Sequence, residues 1–147
     1  MEYLFIDANN LMHYLSKKER KVYNRADLVA IIDRVFIKKK FKINLYFDGF
    51  PNEVITSSVA KIIYSNNKHA DNVIRNELEK EYYNPKKVTV ITSDLQLQEI
   101  AKVNTSKVMS CEDFINKYLS AQKNFMGNDK DTSVLSVEEA KKLFGVE

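Results

Sequence analysis

The sequence predicts an α/β fold: a three-layer α/β/α sandwich around a mainly parallel sheet of about five strands. Three observations lead there. Short apolar or β-branched runs alternate with segments of helical periodicity. The first run is continuously apolar, as in a strand buried on both faces. Three of the runs lead into an aspartate, as expected where parallel strands end on one functional edge.

The elements follow in order. Tyr3-Leu4-Phe5-Ile6 is the first strand. A helix from about Asn10 to Lys18 buries Leu11, Met12 and Leu15. Ala26 to Ile37 is a second helix, with Leu28, Ile31, Ile32, Val35 and Phe36 at helical spacing. Ile43–Phe47 is the next strand, broken by Asp48-Gly49-Phe50-Pro51. Val59–Tyr64 is a third strand, and Ala70 to Tyr82 a helix facing inward through Val73, Ile74 and Leu78. Val88–Ile91 is the β-branched fourth strand. Ser93, with Gln96 completing a capping box, is expected to open a helix to about Val103. Lys107–Met109 is a fifth strand, and Ser110 and Asp113 open a helix through Phe114, Ile115, Tyr118 and Leu119. These elements form a domain over residues 1–124. Residues 125–147 read as a linker and a short C-terminal helix, Ser136–Phe144, with Gly145 as its stop.

Composition narrows the chemistry. The chain has 147 residues, 44% hydrophobic and 29% charged, the balance of a globular domain rather than a disordered segment. One Cys excludes a disulfide framework or a multi-thiolate zinc site, and two His leave little for a histidine-rich centre. A bound metal would therefore be hard and oxygen-ligated, Mg²⁺ or Mn²⁺. The net charge of +3 favours a polyanionic partner weakly. No apolar run reaches the roughly 18 residues of a membrane span, and the expected setting is cytoplasmic, without a membrane.

Asp7, Asp48 and Asp94 follow the first, second and fourth strands, and Asp71 lies in the first turn of the helix after the third. Ile74, Arg75 and Leu78 continue its helical row, so Asp71 should point to the same edge. A single such aspartate is ordinarily a cap or turn residue. Four on one edge, with no compensating Arg or Lys beside them in sequence, repel one another and raise each other's proton affinity. Such a cluster suits a divalent cation, which makes a nearby water more acidic for attack on a phosphodiester.

The ordered motifs Asp7-Ala8-Asn9-Asn10-Leu11, Tyr46-Phe47-Asp48-Gly49, His69-Ala70-Asp71-Asn72-Val73-Ile74, Ile91-Thr92-Ser93-Asp94 and Ser110-Cys111-Glu112-Asp113-Phe114 resemble the NYN branch of the PIN-like nucleases, in particular the YacP-like bacterial ribonucleases. The resemblance covers about residues 1–124. It implies a PIN-like fold and a metal-dependent endoribonuclease in which Asp7, Asp48, Asp71 and Asp94 hold the metal. Asn10 would orient a carboxylate or contact phosphate, and Thr92 and Ser93 would support the site through hydrogen bonds. The sequence departs from the family where Ala8-Asn9 stands in place of its frequent Gly-Tyr.

Lys17, Lys18, Arg20, Lys21 and Arg25 form one basic cluster, and Lys38, Lys39, Lys40 and Lys42 a second. Lys17, Lys18, Arg20 and Lys21 of the first, with Lys68 and Arg75 near Asp71, are the candidate RNA-binding set; each cluster reads equally as a solvated helix face. His13 reads as a helix residue, His69 as a loop residue, and Cys111 as a small buried one. The expected partner is RNA, single-stranded or looped, with ribosome or tRNA as further forms. The competing reading is an RNA- or ribosome-binding module of the same fold with little hydrolysis. A dinucleotide-binding or P-loop site is excluded, because Asp7 to Leu15 contains no Gly.

Overall fold

The computed structural model describes residues 1–80, 83–104 and 106–120. Met1–Glu112 form one compact unit and Asp113 begins another. The first unit contains strands β1 (Glu2–Asp7), β2 (Phe41–Phe47), β3 (Ala60–Tyr64), β4 (Val88–Ile91) and β5 (Lys107–Met109). Between them lie helices α1 (Ala8–Glu19), α2 (Arg25–Phe36), α3 (Ala70–Leu78) and α4 (Leu95–Val103). The strands form one sheet in the order β3-β2-β1-β4-β5, and all four pairings are parallel.

That order separates the layers. The chain steps from β1 to β2 and β3 on one side, then returns past β1 to β4 and β5. Right-handed crossovers place α1 and α2 on one face and α3 and α4 on the other. In agreement, α3 packs beside α4.

Register assigns side chains to the two faces. Phe5 pairs with Asn44 and Val90, so these residues share a face. Two residues along, Tyr46 follows on the same side, and both rings pack with Ala70, Ile74, Leu78, Leu97 and Ala101 of α3 and α4. Leu4, Ile6, Ile43, Leu45 and Ile91 alternate to the opposite face and are buried, as are Leu11, Leu15, Leu28 and Ile32 of α1 and α2. Continuing the first face by two positions past Phe5, Tyr46 and Val90 reaches Asp7, Asp48 and Thr92. The periodicity that builds the core therefore also aims these three polar groups toward α3 and α4.

Two local expectations require correction. The helix expected to run from Ala70 to Tyr82 ends at Leu78, with Glu79 as its C-cap. Beyond it, Asn84 accepts from Lys86 N and starts a 3₁₀ turn with Pro85 first, which reverses the chain into β4. Ser93 does not cap α4. Asp94 does so, accepting from Gln96 N at 2.9 Å and Leu97 N at 3.4 Å. After Met109, Cys111–Phe114 form α5, and Ile115–Ser120 continue with π-helical rather than α-helical bonding. The expected linker and final helix, 125–147, lie outside the described residues. Among the described residues no helix is long and apolar enough to cross a membrane.

The loop joining β2 to β3 is fastened to α2 at two points. Arg25 donates through Nη2 to Asp48 O at 2.6 Å and through Nη1 to Phe50 O at 2.8 Å. Its guanidinium also lies 5.6 Å from the Phe47 ring centre and 5.2 Å from that of Tyr64. Further along, Asp33 accepts from Ser57 Oγ at 2.6 Å. Arg25, read as part of a basic cluster, is thus a clamp on the loop that carries Asp48. Gly49 turns this loop with φ of +85°, a conformation that costs a side-chain-bearing residue.

Ile74 is fully buried between α3 and the sheet. Ile74→Ala is expected to destabilise the domain by about 2–5 kcal/mol, measured as a lower urea midpoint with unchanged slope.

Candidate active site

In a sheet of this order, β1 and β4 are the neighbours from which the chain departs in opposite directions. Their carboxyl ends open a crevice. Asp7 ends β1, and Thr92-Ser93-Asp94 link β4 to α4. A cleft of about 340 Å³ lies at this point, lined by Asp7, Asn9, Asn10, His13, Asp48, His69, Ala70, Asp71 and Asp94. The four aspartates singled out from the sequence and Asn10 are all in its wall.

Each carboxylate is anchored by a specific bond. Asp7 Oδ2 accepts from Thr92 Oγ1 at 3.0 Å. Asp48 Oδ1 accepts from Ala70 N, the first amide of α3, at 2.7 Å. Asp48 is also held through its backbone, because its N–H donates to Asn9 Oδ1 at 2.8 Å. Asp94 Oδ1 caps α4, as described. Asp71 differs: its Oδ1 is buried and has no hydrogen-bond partner among the described residues. A buried carboxylate oxygen without a donor is costly unless a cation or water satisfies it.

Asn10 is the junction between β1 and β4. Its Oδ1 accepts from Ser93 N at 2.7 Å and lies 3.2 Å from Cys111 Sγ and 3.3 Å from Thr92 Oγ1. The single Thr92 hydroxyl proton goes to Asp7, the shorter contact, while the same oxygen accepts from Asp94 N at 3.1 Å. Asn10 therefore fastens the β4–α4 turn through its side-chain oxygen. The Ser93 hydroxyl points elsewhere, donating to Glu112 Oε1 and accepting from Cys111 N, each at 2.9 Å. It anchors the start of α5 rather than an aspartate of the cleft. Cys111 is buried, which pushes its thiol up to about 12, so it stays protonated.

Asp7 carries the main electrostatic strain. Burial pushes its carboxyl up to about 6, against the lowering effect of hydrogen bonds from Thr92 and the Asn10 backbone; the charges of Asp48 and Asp94 add to the rise. Among the described residues, no three His, Cys, Asp or Glu side chains converge closely enough to ligate one ion jointly. The donor set nonetheless fits a hard divalent cation. It offers carboxylate oxygens at the strand ends and on α3, and one of these, Asp71 Oδ1, is buried and has no partner among the described residues. Mg²⁺ is commonly held by one or two carboxylates, with waters completing its shell.

The sequence reading missed Asn9, His13 and His69 as cleft residues. Asn9 and His13 are four residues apart on α1, one turn along the same face. Ser16, Lys17 and Arg20 continue that stripe. With Lys21, Val22 and His13 they line a second cleft, also of about 340 Å³. His13 belongs to both walls. Of the expected RNA-binding residues, Lys17, Arg20 and Lys21 line this second cleft. Lys18, Lys68 and Arg75 line neither of the two.

The five-stranded parallel sheet with an acidic cleft at its switch point is a nuclease-like α/β domain. The sequence profile of the YacP-like NYN domain matches residues 4–143, and the chain belongs to that family. The fold is similar to the crystal structure of Rae1 (YacP) from Bacillus subtilis, with a TM-score of 0.68 and 14% identity over 98% of this chain and 84% of that one. The W164L mutant of the same protein gives a TM-score of 0.61 and 15% identity over 90% and 87%. Comparison with curated proteins gives no match.

The Asp7 environment sets a pH dependence. Its folded value of about 6 lies above the ordinary 3.8. Stability from this group is fully present below pH 4 and is lost as pH rises through 6. Without divalent ions, the wild type is expected to lose on the order of 2–3 kcal/mol relative to Asp7→Asn between those limits. Urea unfolding of both proteins across this range measures the difference.

Proposed function

We propose that this protein is a metal-dependent endoribonuclease, hydrolysing RNA phosphodiester bonds in the acidic cleft with Mg²⁺ or Mn²⁺. The carrying observation is the cleft itself: four aspartates from four separate chain segments, one with a buried oxygen that has no partner among the described residues. Membership of a nuclease-like family supports the same reading.

In this reading Asp7, Asp48, Asp71 and Asp94 hold the cation, directly or through water. When bound, it supplies positive charge to the scissile phosphate and acidifies a water for attack. Thr92 and Asn10 keep the Asp7 and Asp94 segments in place. Asn9, Ala70 and Arg25 do the same for Asp48. Asp7, its carboxyl raised to about 6, is mostly ionised at neutral pH, and a bound cation would favour that charged form further. Water adds to phosphorus and gives up a proton, the bridging P–O bond breaks, and a proton is returned to the departing oxygen, so that one water is consumed per bond cut.

The second reading is an RNA-binding module with little turnover. The observation in its favour is that, among the described residues, the carboxylates do not converge three at a time. A cleavage assay separates the two. With single-stranded RNA and Mg²⁺ or Mn²⁺, wild type is expected to produce internal cuts, abolished by EDTA. Asp7→Asn and Asp94→Asn should each lower the rate by roughly a hundredfold or more, the scale of several kcal/mol of transition-state stabilisation. Salt-sensitive RNA binding with no cleavage by wild type establishes the binding module instead.

A further inference from the structure

The cleft at the end of α1 is the feature that the acidic site leaves unexplained. We propose that it is a nucleotide subsite, which takes one unstacked base of a single-stranded RNA while the cations at its rim hold the adjoining phosphates. This rests on the nuclease reading for the direction of the strand, but the subsite is defined by its own residues.

Continuity is the first argument. Asn9, His13, Ser16, Lys17 and Arg20 recur on one face of α1, so a strand leaving the acidic cleft past His13 runs along this stripe. From His13 to Arg20 is about 10 Å along the helix axis at roughly 1.5 Å per residue. Chemistry is the second. Lys17, Arg20 and Lys21 supply positive charge, while the His13 ring, the aliphatic stems and Val22 supply an apolar wall. Val22 is 87% exposed, an apolar side chain set among cations, where solvation alone favours a polar one. Cations around an apolar wall match a nucleotide, whose phosphate is charged and whose base has two apolar faces.

Rigidity is the third. Arg20 adopts a left-handed backbone with φ of 54°, and its N–H bonds to Ser16 O. The next amide, Lys21 N, bonds to the same oxygen at 3.2 Å. The Lys21 ammonium lies 5.3 Å from the Tyr23 ring centre. The cleft is therefore built on a fixed helix end. Size is the fourth. A volume of about 340 Å³ lies at the lower end of the ~300–1,000 Å³ typical of small-molecule sites. It suits one nucleotide and not a base-paired duplex, whose bases are stacked inside.

The test uses the full chain in EDTA, where no cleavage occurs. Uridine and adenosine 5′-monophosphates are titrated while backbone amide resonances are followed. Saturable shifts at His13, Ser16, Lys17, Lys21 and Val22 are expected; shifts absent from these amides overturn the subsite. In parallel, Val22→Glu is compared with Val54→Glu, an identical change at another exposed position. Val22→Glu is expected to weaken binding of a single-stranded oligonucleotide roughly tenfold, the scale of one lost stacking contact. Equal weakening by the two variants overturns the proposal. Cleavage by wild type without the amide shifts sinks the subsite alone. The shifts without cleavage uphold the subsite and sink the nuclease reading alone.

Discussion

Asp7 sits where burial and two neighbouring carboxylates all oppose its charge, and the surrounding structure is arranged to hold it there. The residue ends the central strand, and its backbone is paired with β2. One hydroxyl, from Thr92, offsets part of the cost by donating to it. That hydroxyl also receives the Asp94 amide, so Asp7 and the segment carrying Asp94 are tied through a single oxygen. Asn10 closes the arrangement by holding Ser93 N. A site built this way is rigid while its charge is still uncompensated. Such preorganisation lets a cation or phosphate bind without rearranging the wall.

The sheet explains why distant residues can share this task. Parallel register fixes the faces of β1, β2 and β4 together, so side chains on one side of the sheet reach its edge in phase. A one-residue slip of β2 would turn Asp48 away and carry Tyr46 to the face covered by α1 and α2. The aromatic core therefore protects the site as well as the fold. Phe5 and Tyr46 lie edge to face at 5.7 Å, locking the register two residues before Asp7 and Asp48.

Much of this was legible in the sequence, because it follows from period and punctuation. Strands broken by Asp, and helices with a clear apolar stripe, yield both the fold and the acidic edge. Bonds that span the chain were not legible. Asn9 acts on an amide 39 positions away, and Arg25 on a carbonyl 23 positions away, and neither spacing leaves a local pattern. Ser93 and Asp94 show a different failure. Both are good N-caps, and local sequence favoured the serine with its capping box. The structure gives the cap to Asp94 because the Ser93 hydroxyl is taken by Cys111 N and Glu112, contacts formed only once β5 pairs with β4. Tertiary demand decided between two residues of equal local merit.

The histidines follow from the same logic. A polar stripe on a helix is ordinarily a solvated face, and His13 alone carries no signal. Its meaning comes from what lies at each end of α1. At the N-terminal end the strand-end acids gather; at the C-terminal end Lys17 and Lys18 occupy the last turn, where positive charge offsets the helix dipole. The helix thus separates charge along its length, negative where a cation would sit and positive where phosphates would. A polyanion bridging the two ends would be repelled at the acids unless a cation intervened, and attracted at the basic end regardless. Under the proposed function, affinity for RNA and competence to cut it would therefore be separable properties of one helix, with His13 at the boundary between them.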